Sequence, residues 1–108
     1  MRTLKFVVDG QKIIPDPNCD FTNLVPGSTG HLRARFTFSK EWENMTKVVG
    51  FYSRLGKEYT PQLLYKEESC EIPPEALEKR FFKIRVIGKS ATTPKFMTNK
   101  LEIDQEGG

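Results

Sequence analysis

Apolar and polar residues alternate with a period of two along three stretches of this chain. In the first, Leu4, Phe6 and Val8 alternate with Thr3, Lys5 and Val7. In the second, Leu32, Ala34, Phe36 and Phe38 alternate with Arg33, Arg35 and Thr37. In the third, Phe82, Ile84 and Val86 alternate with Lys83, Arg85 and Ile87. Side chains of a strand point to opposite faces in turn, so each stretch predicts a half-buried strand with one apolar face. After Phe38, Ser39–Met45 predicts a reversal, and Thr46–Tyr52 predicts the next strand of an antiparallel sheet.

The remaining elements are shorter. Asp9-Gly10 signals a type I′ hairpin, with Gln11–Ile14 as the returning strand. Pro15 to His31 reads as a loop, with a type II turn at Pro26-Gly27 because proline presets one dihedral and glycine accepts the positive one. Glu58–Tyr65 reads as a strand in which Pro61 cannot donate to a ladder, which points to an edge or a bulge. Cys70–Ile72 is a short strand. Prolines followed by good helix formers predict one helical turn near residues 74–79. Met97–Ile103 is the last strand, and a loose polar tail follows at 105–108. Seven to eight short strands at spacings of about 8–12 residues predict a sandwich or small barrel. The predicted core is Phe6, Leu32, Phe36, Phe38, Phe51, Phe82, Ile84 and Val86.

With 108 residues the chain forms one domain, placed at 1–104, and 11% aromatic content including eight phenylalanines supplies its core. Seventeen basic and fourteen acidic residues leave a net charge of +3. These charges are interspersed, which reads as an ordinary solvated surface and not as a nucleic-acid binder. No run approaches the ~18 apolar residues of a membrane span, and Met1–Lys5 leads into a strand without a secretory signal. The expectation is a soluble chain made in the cytosol, with Cys19 and Cys70 as free, semi-buried thiols.

Candidate chemistry is sparse. His31 is the sole histidine and sits in a turn, and the two cysteines lack the spacing of a zinc site. Glycine-rich phosphate loops and nucleophile elbows are absent from the sequence. Glu41 with Glu43, or Glu67 with Glu68, reads as a solubilising pair and not as a general acid and base. The expectation is therefore no enzyme, no cofactor and no metal. Arg33, Arg35, Lys83 and Arg85 would share one cationic outer face if their strands lie in one sheet, where they keep that face in water or meet an acidic partner. Trp42 reads as a plug over the open end of the sandwich or as an exposed anchor for a partner or a sugar ring. These five residues are the candidate partner-binding set.

The run Phe36–Phe51, with a strand ending in Phe38-Ser39-Lys40-Glu41-Trp42 and continuing through Thr46-Lys47 to a strand closing on Phe51, resembles a pattern of proteins from phages and prophages of Firmicutes. Cys70–Leu77 is similar to that family's Cys-x-Ile-Pro-x-Glu-x-Leu segment, Phe82–Gly88 to its Phe-x-Val-x-Val-x-Gly strand, and Thr98-Asn99-Lys100 to its Thr-Asn-Lys element. In those relatives the segment resembles an N-terminal Ig-like β-sandwich of tail-fibre, baseplate or other minor structural proteins. The resemblance, which runs from about Lys5 to Ile103, implies an all-β, antiparallel Ig-like fold. It also implies a non-catalytic virion protein that binds other virion proteins, in tail or baseplate attachment or in capsid decoration, and self-associates in a symmetric assembly. Alternatives are a small phage-encoded inhibitor of a host protein, and a carbohydrate-binding adhesion module that recognises a host-surface glycan with Trp42, Tyr52, Tyr59 or Tyr65.

Overall fold

In a computed structural model, which describes residues 2–27, 32–65 and 68–106, the chain folds into two β-sheets around one core. The strands are β1 (Arg2–Asp9), β2 (Lys12–Pro15), β3 (Leu32–Phe38), β4 (Thr46–Tyr52), β5 (Gln62–Leu63), β6 (Ser69–Glu71), β7 (Phe81–Lys89), β8 (Phe96–Met97) and β9 (Leu101–Asp104). One sheet has the order β2-β1-β3-β6; the other runs β5-β4-β7, with β8 and then β9 paired along the far side of β7. The all-β sandwich follows from the alternation. Leu4, Phe6 and Val8 on β1 and Phe82, Ile84 and Val86 on β7 are fully buried and face one another across the core. Of the predicted core, Phe38 alone is only partly buried.

Two expectations about pairing are corrected. The strands β3 and β4 do not form a hairpin, because β3 lies in the first sheet and β4 in the second. Between them a 3-10 turn, Lys40–Trp42, carries the chain from sheet to sheet and drops the indole into the core. The sandwich is also not purely antiparallel, since β1 and β3 run parallel in register from Arg2↔Leu32 to Val8↔Phe38. A parallel neighbour needs a long return connection, and the segment between Pro15 and Leu32 supplies it. The Arg2 guanidinium holds that segment by donating to the carbonyls of Asp20, Thr22 and Asn23 at 2.8, 2.6 and 3.3 Å. Phe21 packs edge-on against Phe6.

The local turns show how sequence sets geometry. The hairpin β1–β2 pairs Asp9 with Lys12, so its two central residues are Gly10 and Gln11. Only Gly10, at φ +57°, has a positive φ there. That is the pattern of a type II′ turn and not the expected type I′. Gly27, behind Pro26, has φ +87°, as a type II turn requires. The long strand expected at Glu58–Tyr65 shrinks to Gln62–Leu63 at a sheet edge, consistent with Pro61's missing donor. A helical turn, α1 (Pro74–Leu77), buries Ala76 and Leu77.

Residues 105 and 106, expected to open a loose tail, are held in place, Glu106 by donating its N–H to Asp104 Oδ1. Gln105 is buried, and its side-chain amide donates to the carbonyls of Leu77 and Lys79 at 3.1 and 2.7 Å, tying the chain end to α1. Residues 107 and 108 lie outside the described residues, as does His31.

Two seams lock the sheets together. At the first, Gly10 is clamped: its N–H donates to Ser39 Oγ at 2.8 Å and its carbonyl accepts the Trp42 Nε1–H at 2.7 Å. The indole packs between Phe38 and Phe96, with ring centroids at 5.4 and 4.9 Å. The second seam rests on a bulge. From Met97 to Leu101 the edge advances four residues while β7 advances three, from Ile87 to Ile84. The extra residue bends the edge. Thr98 stays paired, its N–H donating to Val86 O at 3.0 Å and its hydroxyl accepting the Val86 N–H at 3.1 Å. Asn99 turns to the other sheet, where its Oδ1 accepts the Ile13 N–H at 2.9 Å and its N–H donates to Gln11 O at 3.2 Å.

Candidate functional site

The candidate contact residues do not come together. Arg33 and Arg35 project from β3 on the outside of the first sheet, where the register sets Arg35 beside Lys5. Arg33 lies 3.9 Å from Glu71 and donates to Ser69 Oγ at 3.3 Å. Lys83 and Arg85 project from β7 on the outside of the second sheet, across the core from the arginines of β3. A shared cationic face is therefore corrected to two separate faces. The cause is the crossing at residues 40–42, which alternation within β3 and β7 does not encode. Trp42 is 0% exposed, so it is the plug and not an anchor.

The aromatic platform considered for a sugar is not assembled either. Tyr52 is buried beneath Lys100, whose Nζ stands 4.1 Å over the ring, and Tyr59 packs against the core. Tyr65 is exposed. Of the two acidic pairs, Glu68 is partly buried with its Oε2 3.9 Å from Lys47 Nζ, which differs from the expected solubilising role. Glu41 and Glu43 are exposed, and hydrogen bonds from the backbone N–H of Glu41 and then the Ser39 hydroxyl hold the Glu41 carboxyl below its ordinary range. Glu67 lies outside the described residues. Both thiols are free, and burial pushes the Cys70 thiol up to about 12, leaving it protonated and unreactive in native protein. Among the described residues no three His, Cys, Asp or Glu side chains gather as a metal site would need.

Two concave regions deserve a chemical reading. At one end of the sandwich the turn Ser53–Lys57 projects Leu55, which is 98% exposed, over two adjoining hollows of about 330 and 340 Å³. Gly56, at φ +98°, closes this turn. The guanidiniums here are already matched. Arg54 lies 3.2 Å from Glu102, Arg80 grips Asp104 through two bonds of 2.9 and 3.1 Å, and both stack on Phe81. Such neutralised pairs fix the loops and leave little field for an anion.

The second region is the outer face of the second sheet. Register aligns Leu63, Val48, Ile87 and Met97 in one row across β5, β4, β7 and β8. All four point away from the core, because the residues that bury there are the neighbours Val49, Val86 and Phe96. Leu63 is 44% exposed and the other three are partly exposed. Four strands spaced about 4.8 Å make this apolar row about 14 Å long. On one side it sinks into a hollow of about 210 Å³ floored by Val48, Ile87 and Gly88 and walled by Pro94, with Lys89 and Lys95 at the rim. On the other side stands Arg85, which donates to Thr98 O at 3.2 Å.

Alternation along β7 singles out Arg85 but not the row. The available signal was segmental charge: residues 79–101 hold seven Lys or Arg and no Asp or Glu. Comparison with protein-family models, with curated proteins and with solved structures finds no match to this chain.

Proposed function

We propose that this chain is a non-catalytic structural protein of a phage virion that binds other virion proteins, in tail or baseplate attachment or in capsid decoration. The observation that carries the reading is the apolar row Leu63–Val48–Ile87–Met97, laid across a sheet that two seams hold rigid. A rigid face binds without an ordering cost, and many copies in a symmetric assembly add avidity to a modest contact. The motif resemblance from Lys5 to Ile103 supplies the virion context. A carbohydrate-binding role loses its main support, since Trp42 and Tyr52 are buried.

The test is the protein content of purified particles. Mass spectrometry should find this chain at a fixed stoichiometry after density-gradient purification. Its absence from particles, with recovery instead on a host protein in the infected lysate, would replace this reading with that of an inhibitor.

A further inference from the structure

Resting on the reading of this chain as a docking module, we infer that the apolar row of the second sheet seats an acidic, amphipathic segment of a partner protein. Three observations point to this occupant. The row and its hollow are aliphatic, which suits aliphatic side chains and offers no ring on which a nucleic-acid base would stack. The site is concave, with Pro94 as a wall above a floor at Val48 and Ile87, so it receives a side chain and does not wedge into a flat bilayer. The charged side chains that the segment 79–101 sets along it are of one sign. Lys89 and Lys95 stand on one side and Arg85 on the other, and the segment that carries all three has no carboxylate from residue 79 to residue 101.

Charge complementarity therefore selects a strand or helix with an apolar stripe and Asp or Glu on its flanks. Its apolar residues would lie along the row, with one bulky side chain in the hollow. Its carboxylates would meet Lys89 and Lys95. Pairing along a sheet edge is a poorer route, because Asn99 already occupies the edge at β2 and the edge at β5 is only two residues long.

The probe is a synthetic peptide alternating Leu and Glu, compared with Leu/Lys and Leu/Gln peptides of the same pattern. Methyl and amide chemical shifts of isotope-labelled full-length protein are the readout. The Leu/Glu peptide should move the methyl signals of Val48, Ile87 and Met97, and Lys89→Glu with Lys95→Glu should weaken its binding about tenfold. Both lysines are exposed, so this variant keeps the fold, which its unchanged core methyl spectrum verifies. Any of four results overturns the inference. These are equal binding of the Leu/Lys peptide, no shift at the row with Leu/Glu peptide at millimolar concentration, the same shifts with oligothymidylate or phosphatidylglycerol vesicles, or shifts at the row on concentrating the protein alone. Such a failure in a protein that is still present in purified particles removes the acidic occupant and leaves the virion reading intact. Absence from particles removes that reading whatever the peptides do.

Discussion

Replacing Trp42 tests whether the 3-10 crossing holds the sandwich shut. The indole is fully buried, packs on Phe38 and Phe96, and gives its one N–H to the Gly10 carbonyl at 2.7 Å. Trp42→Phe keeps a ring in place but leaves that carbonyl without its donor, which costs about 1–3 kcal/mol. Trp42→Ala also empties the space between the rings and should cost about 3–5 kcal/mol. Against a total stability of about 5–15 kcal/mol, the alanine variant sits near the edge of folding. Urea unfolding followed by circular dichroism measures both, since the substitution removes the chain's single tryptophan as a fluorophore. In the wild type that fluorescence should be blue-shifted and protected from acrylamide. An exposed tryptophan would behave otherwise: Trp42→Phe would change stability by less than about 0.5 kcal/mol. That outcome, or quenching as efficient as for free tryptophan, refutes the clamp.

Three further outcomes follow from the same geometry. Gly88→Ala would set a Cβ 2.7 Å from Trp42 Cζ3 and 3.0 Å from Met45 Sδ, so thermal denaturation should show a loss of about 1–3 kcal/mol from overpacking. Asn99→Ala removes the acceptor of the Ile13 N–H; the loss should be about 1–3 kcal/mol, and hydrogen exchange at Ile13 should accelerate while Val86, whose N–H is held by Thr98 on the same edge as Asn99, stays protected. The Cys70 thiol has an ordinary value of 9.0 and is raised to about 12 in the folded chain. Between those values the unfolded chain releases a proton that the native chain keeps, so stability falls as pH rises, by up to about 1.4 kcal/mol per pH unit from this group. In urea titrations at pH 9 and pH 10.5, Cys70→Ala should flatten that slope, and an unchanged slope would show that the thiol ionises in the native state.

Much of the fold was legible because it is local. The period of two in Leu4–Val8, Leu32–Phe38 and Phe82–Val86 names the buried face of each strand without any knowledge of its neighbours. Pro26-Gly27 and the prolines before α1 likewise announce their conformations within a few residues. Strand partnership is not local. Nothing in Phe36–Phe51 distinguishes a hairpin from a crossing between sheets, because both satisfy the same alternation. What decides is where the indole of Trp42 and its N–H can be buried and bonded, and Gly10, thirty-two residues away, provides that place. The same applies to Asn99. Its role arises from a one-residue mismatch between two edges, which appears only once Met97 is paired with Ile87 and Leu101 with Ile84. The candidate surface was partly hidden for a similar reason. Leu63, Val48, Ile87 and Met97 come from four segments, and only their register makes a row of them. The net charge of +3 hid its cationic borders, which counting charge by segment brings out.

Cross-linking in assembled particles bears most directly on the claim that this sandwich docks through the outer face of its second sheet. A zero-length carbodiimide reagent joins lysines to carboxylates already in contact. In purified virions Lys89 and Lys95 should be linked to Asp or Glu residues of another chain, and both should be acetylated more slowly than in the isolated protein. Lysines that react equally fast in particles and in isolation, with intermolecular links arising only from Lys5 on the opposite sheet, would contradict the account.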